Sequence, residues 1–212
     1  NLIYDNKSIN RYKFANNFQN TSHKDKELEG LKEDIQRIKN CELKKSSKNI
    51  VFSDGNPNSK IMIIGEGPGA NEDLEGMPFI GRAGQLLDNM LLAINLNRDN
   101  VYITNVVNYR PPENRSPTLE EIKRYLPFLT KHIEIIDPKI LILLGSTALN
   151  TIIGNEEVIS KARGKWFKKK IGKCNTLVIV SFHPAFLIRQ PKQKAMSWKD
   201  LKMIRSKIIE LN

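Results

Sequence analysis

The chain has 212 residues, 40% of them hydrophobic, with 34 Lys and Arg against 23 Asp and Glu for a net charge of +11. That length suits one domain with an extension, and no stretch approaches the roughly 18 consecutive apolar residues that a membrane span needs. Two cysteines far apart, Cys41 and Cys174, give no disulfide framework and point to a reducing, cytoplasmic setting.

The charge is unevenly distributed. Residues 161–212 carry 14 Lys and Arg against two acids, Asp200 and Glu210, for a net +12, and the remainder carries −1. A one-sided basic field is the footprint of a polyanion binder. A solvated lysine-rich surface is the alternative.

Residues 1–26 are rich in Asn, Lys and Ser and read as an arm without a signal-peptide pattern. Leu28, Leu31, Ile35 and Ile38 recur at helical spacing and predict a short amphipathic helix over 27–40. The chain therefore divides into an arm with its helix, 1–40, and a domain, 41–212. Residues 46–58 form a polar loop with turn dipeptides at Asp54-Gly55 and Asn56-Pro57.

Lys60–Ile64 is a buried strand that runs into a turn rich in glycine, Gly65-Glu66-Gly67-Pro68-Gly69. The stretch after it, with Glu72, Asp73 and Phe79, reads as an ordered loop. A helix follows from about Ala83 to Ile94, then a second strand, Val101–Thr104, that delivers Asn105. Thr118 and Glu121 form a capping box for a further helix, which Pro127 is expected to kink or restart. Ile140–Leu144 is a third strand, with a Gly145-Ser146 turn and a helix to Ile153. Leu177–Ser181 is a fourth, ending in Phe182-His183-Pro184, and Met196–Leu211 is a closing helix.

Strands alternating with helices predict an α/β fold, a parallel sheet covered on both faces. Right-handed crossovers bring the four strand ends to one edge. Glu66, Asn105, Ser146 and His183 would then share a cleft. His183 there could donate to a developing oxyanion, or simply be a packed histidine. Asn105 offers a donor and an acceptor that can read a nucleobase edge, or it ends its strand in a turn. Phe79 suits a stacking platform, with core filling as the alternative. Phe186 and Leu187, followed by Arg189, suit a wedge into a duplex, or begin the next helix. Together these features describe a protein that takes one base out of the DNA stack and works on it.

Four segments, GEGPGANED at 65–73, PFIGRAGQLLD at 78–88, YITNVVNYRPPENRSPTLEEI at 102–122 and FHPAFLIR at 182–189, closely resemble the family 4 uracil-DNA glycosylases. The resemblance runs from about Cys41 to Ile208. It implies a three-layer α/β/α fold on a central four-stranded parallel sheet. It also implies hydrolysis of the N-glycosidic bond of deoxyuridine in DNA, as a first step of base-excision repair. By position, Glu66 and Gly67 would line the pocket and place the attacking water. Phe79 would stack on uracil, Asn105 would pair with its edge, and His183 would bond its O2. Glu72 would lie close by and orient His183. Ala185, Phe186 and Leu187, with Arg189, would engage DNA. In another branch of the superfamily an aspartate stands at the position of Gly67.

One departure concerns the four cysteines that hold a [4Fe–4S] cluster in that family. Their positions fall on Ile38, Cys41, Tyr109 and Tyr125, so a single thiol remains where a cluster needs four ligands. The sequence reading is therefore of a protein with no metal and no cofactor. It would act on uracil-containing DNA as a monomer, without a membrane. A relative that binds uracil-containing or single-stranded DNA without cleaving it is the alternative. A nucleotide-binding protein is a poor fit, because the glycine turn lacks the Lys-Ser/Thr ending of a P-loop. DNA affinity is expected to fall steeply between 50 and 200 mM salt through the 161–212 segment; a flat response in a binding titration would remove the charge argument.

Overall fold

The structure is a computed structural model that describes residues 23–154 and 157–211. The arm expected over 1–26 lies outside the described residues except for its last four, which are helical. From there α1 (His23–Gln36) and α2 (Glu42–Ser46) precede β1 (Asp54–Gly55) and β2 (Ile61–Gly65). α3 (Ala70–Glu75) and α4 (Arg82–Leu92) lead to β3 (Tyr102–Asn105). α5 (Leu119–Ile136), β4 (Ile140–Leu144), α6 (Ser146–Ile152) and α7 (Ile159–Ala162) follow. β5 (Trp166–Ile171) and β6 (Cys174–Ser181) form a hairpin, and α8 (Pro184–Arg189) and α9 (Lys194–Leu211) complete the chain.

Among the described residues the sheet has six strands in the order β1-β3-β2-β4-β6-β5. β3, β2, β4 and β6 run parallel, and β1 and β5 pair antiparallel at the two edges. The parallel strands are apolar throughout because both faces are covered. Ile61 and Ile63 of β2 enter one core cluster, and Met62 and Ile64 enter the other. Helices α1, α5 and α6 cover the second cluster with Leu31, Ile133 and Leu149. Helices α4 and α9 cover the first with Leu87, Leu91 and Ile204. Each fully buried side chain of this kind contributes about 1.5–3 kcal/mol. This is the three-layer α/β/α arrangement expected from the alternation of strands and helices.

Four local readings change. Residues 70–75, read as loop, are helical, capped by the Glu72 carboxylate on the Gly69 N–H. α5 runs through Pro127 without ending. Pro127 and Lys123, whose carbonyl loses its partner, are both exposed, so water satisfies that carbonyl. β1 has only two residues and β5 reads WFKKKI, so neither carried an apolar strand signal. Lys168 and Lys170 alternate outward on β5, as suits an exposed edge. Finally, Pro184–Arg189 is a short helix, which turns Leu187 inward to 1% exposure.

A buried ion pair ties the residue after α7 to α9, and a hydrogen bond ties the end of β6 to the same carboxylate. Asp200, fully buried, accepts from Arg163 Nε at 3.1 Å, from Arg163 Nη2 and from Ser181 Oγ at 2.8 Å. Burial raises the Asp200 pKa more than Ser181 and Arg163 lower it, so the pair acts as a positional lock with little net stabilisation. Asp200→Ala strands the Arg163 charge and should cost about 3–5 kcal/mol in denaturant unfolding. The double change Asp200→Leu with Arg163→Met should recover most of that loss. A single variant as stable as wild type would contradict the lock.

Candidate active site

The four parallel strands end on one edge, and the residues just past their ends converge there. β2 delivers Glu66 and Gly67, β3 ends on Asn105, β4 leads to Gly145–Thr147, and β6 leads to His183. A cavity of about 170 Å³ is lined by Glu66, Gly67, Glu72, Phe79, Asn105 and His183, among others. It shares Glu66, Gly67, Asn114, His183 and Ala185 with a wider groove of about 560 Å³. Phe186, Arg189 and Ser146 line that groove.

Glycine makes the inner end of the cavity. A Cβ on Gly65 would stand 2.5 Å from both Asn105 Oδ1 and Phe79 Cζ, so no larger residue fits. Asn105 is 2% exposed, and its Oδ1 has no hydrogen-bond partner among the described residues. A buried acceptor left unpaired is costly unless a ligand supplies the donor.

His183 caps α8, its Nδ1 accepting from the Ala185 N–H at 3.2 Å. Nδ1 is therefore unprotonated, and the proton of the neutral ring resides on Nε2. Burial pushes the His183 pKa down to about 4; the nearby Glu66 and Glu72 charges oppose that shift, and Arg189 adds to it. At neutral pH the site thus holds an uncharged N–H donor.

Phe79 stacks on the His183 ring, with centroids 5.6 Å apart and planes at 29°. It belongs to the core cluster and also lines the cavity. Its backbone is left-handed, at φ +55°.

The Glu66 carboxylate is held by two hydroxyls. Ser116 Oγ donates to Oε1 at 3.2 Å, and Thr147 Oγ1 donates to Oε2. Neither hydroxyl was singled out from the sequence, and nothing in their local patterns marks them. Glu72 lines the cavity, yet its carboxylate accepts from the Gly69, Ile80 and Gly81 N–H groups, not from His183. Ala185, expected to engage DNA, lies in the cavity wall. Leu187, expected in a wedge, instead faces α4 and α9; Phe186 is half-buried against Phe182, with ring centroids 4.9 Å apart. The helical turn of α8 separates the two side chains. The basic segment is also not one free surface, since Arg163 is consumed by Asp200 and Lys207 pairs with Glu210.

On the opposite side of the sheet from α4, Cys41 Sγ lies 3.3 Å from Tyr125 Oη. Cys41, Tyr109 and Tyr125 are buried in one core cluster, and Ile38 packs against it. Burial and the Cys41 contact push the Tyr125 pKa well above its ordinary value. Among the described residues no group of three or more His, Cys, Asp or Glu side chains could hold a metal ion. No described helix is long and apolar enough to cross a membrane.

The family described as the uracil DNA glycosylase superfamily matches residues 52–202. A type-4 uracil-DNA glycosylase of Sulfurisphaera tokodaii is 41% identical over 183 residues, 84% of this chain and 83% of its own. That of Pyrobaculum aerophilum is 39% identical, covering 84% and 92%. That of Thermotoga maritima is 42% identical, covering 76% and 83%. These relatives correct the expectation of a protein without a cofactor, because the type-4 enzymes are iron–sulfur cluster proteins. The side chains at Ile38, Cys41, Tyr109 and Tyr125 do not fit a four-thiolate set, and no step of the chemistry below is routed through a cluster. Fold, site and relatives agree that the chain belongs to the uracil-DNA glycosylase superfamily, with the type-4 enzymes as its kin.

Proposed function

We propose that the chain is a monofunctional uracil-DNA glycosylase of base-excision repair. A deoxyuridine flipped out of DNA enters the cavity and its N-glycosidic bond is hydrolysed. Water adds to C1′, the C1′–N1 bond breaks, and its electron pair leaves with the base. Uracil and an abasic site are the products. The observation that carries this reading is the unpaired Asn105 Oδ1, buried beside a neutral histidine donor.

A uracil ring fits that pair of groups. Its N3–H would satisfy Asn105 Oδ1, and its O2 would accept from His183 Nε2–H. Negative charge grows on O2 as the bond breaks, so the His183 bond strengthens in the transition state. A neutral donor does this without itself gaining or losing a proton. Phe79 would stack on the ring and help offset the few kcal/mol of unstacking. Glu66 would sit beneath the sugar, where a carboxylate stabilises developing positive charge and accepts a proton from the incoming water. Gly67, pressed against Val107, would keep space open for that water. Ala185, Phe186 and Arg189 support a DNA-facing role along the wider groove. We place the protein in the cytoplasm as a monomer, and assign catalysis to residues 41–212.

The primary test is release of uracil from an oligonucleotide carrying one U·G pair, read as alkali-sensitive strand cleavage. Absence of cleavage together with tight, salt-sensitive binding would favour a binding module. Asn105→Leu preserves volume and removes the acceptor; it should lower kcat/KM by about 10²-fold or more. A 3-methyluracil substrate, which lacks the N3 donor, should be resistant for the same reason. An Asn105→Leu enzyme with wild-type kcat/KM would refute the assignment.

His183→Ala should lower the single-turnover rate by about 10²- to 10³-fold with DNA affinity nearly unchanged. Because burial lowers the His183 pKa to about 4, the neutral donor persists as pH falls. The wild-type rate should show no histidine inflection from pH 8 down to pH 5. An inflection near 6.5 that disappears in His183→Ala would overturn the neutral-donor role. The same shift, with that of buried His132 to about 3, makes stability complete above pH 6.5. Each group then removes about 1.4 kcal/mol per pH unit as the pH falls below 6.5 toward its folded value.

A further inference from the structure

The loop that carries Phe79 is gripped from two sides. On one side the Glu72 carboxylate accepts from the Ile80 and Gly81 N–H groups at 3.0 and 2.8 Å. On the other lies Arg98, in the turn just before β3. Its Nη1 donates to the Pro78 carbonyl at 3.1 Å and its Nη2 to the Phe79 carbonyl at 2.5 Å. The guanidinium is itself fixed by two carboxylates, Asp54 at 2.5 Å and Asp88 at 2.8 Å.

We infer that Arg98 is a positioning residue for base recognition: its fork holds Phe79 in the left-handed conformation that presents the ring to the base. This inference rests on the glycosylase reading for the identity of the base. Arg98 is not in the cavity wall, so it acts through the Phe79 backbone.

Three observations support it. Phe79 has φ +55°, a conformation that an aromatic residue adopts only when its surroundings impose it. Rotating Phe79 into an ordinary conformation would swing its carbonyl off Arg98 and move its ring off His183. Next, a Cβ on Gly84 would lie 1.6 Å from the Phe79 oxygen, so α4 is notched there to admit that carbonyl. Finally, the acceptors are arranged for a planar group with several donors. Arg98 serves two carboxylates and two consecutive carbonyls at once, which the single ammonium of a lysine cannot do.

The test compares Arg98→Lys with wild type in three measurements on the full chain. Thermal unfolding establishes that the variant folds. The single-turnover excision rate and inhibition by free uracil should both weaken by about tenfold or more, while affinity for abasic-site DNA stays within twofold. In protein labelled with 4-fluorophenylalanine, the ¹⁹F resonance assigned to position 79 should shift or broaden. A folded Arg98→Lys with wild-type excision, uracil inhibition and ¹⁹F signal would overturn the inference. So would a parallel loss of abasic-site binding, which marks a general structural defect. Should Arg98→Lys fail to fold, Asp88→Asn keeps the arginine and loosens one anchor. It should then show a smaller loss in the same quantities, and wild-type values there would equally overturn the inference. If wild-type protein released no uracil, the functional reading would fail by itself, and the ¹⁹F comparison would still decide whether Arg98 sets the Phe79 ring.

Discussion

The register between β2 and β3 is the constraint on which the site depends. Parallel pairing sets Gly65 opposite Asn105, at the last position of both strands. A residue without a side chain therefore faces an amide whose oxygen has nowhere else to bond. The Phe79 ring fills part of the space that the missing side chain leaves. Shifting the register by one residue would turn Asn105 to the other face of the sheet. The placement of Asn105 is thus a product of strand alignment, and the loops refine what the sheet has placed.

Electrostatics at the edge follow from how each charge is held. Glu66 is kept in place by the hydroxyls of Ser116 and Thr147. Glu72 is engaged by three backbone N–H groups, which makes it a clasp between the first turn and the Phe79 loop. His183 stays neutral because its ring is packed between Phe79 and Gly145 and its Nδ1 caps a helix. Two carboxyl groups of fixed position and one neutral donor suit a reaction in which a sugar becomes positive and a base becomes negative.

Much of this was legible in the sequence because its carriers were local. Runs such as ILILL and IMIIG announce strands buried on both faces, and the residue after each run marks the shared edge. Glu66, Asn105 and His183 stand out for that reason. What was not legible depends on distance in the chain. Ser116 and Thr147 meet Glu66 across 50 and 81 residues, and no periodicity encodes such a meeting. Arg98 looks like an ordinary turn cation until its four acceptors are seen. The inward turn of Leu187 was not legible because six residues are too few to display a helical period. The β5 edge was hidden by its lysines, whose alternation is itself the mark of an exposed strand. The cofactor reading failed for another reason: three substituted positions describe a donor set, whereas the relatives describe a holoprotein.

The order of the strands also carries a consequence for how this molecule comes into being. β2 pairs with β4, some eighty residues further along, and β4 pairs with β6 beyond α6, α7 and the β5 edge. The contiguous β2–α3–α4–β3 stretch can align Glu66 with Asn105, but His183 joins them only through β4 and β6. The complete site exists only once all the parallel pairings are made. A partly unfolded chain can therefore carry its basic C-terminal segment while lacking the complete assembled set of edge residues.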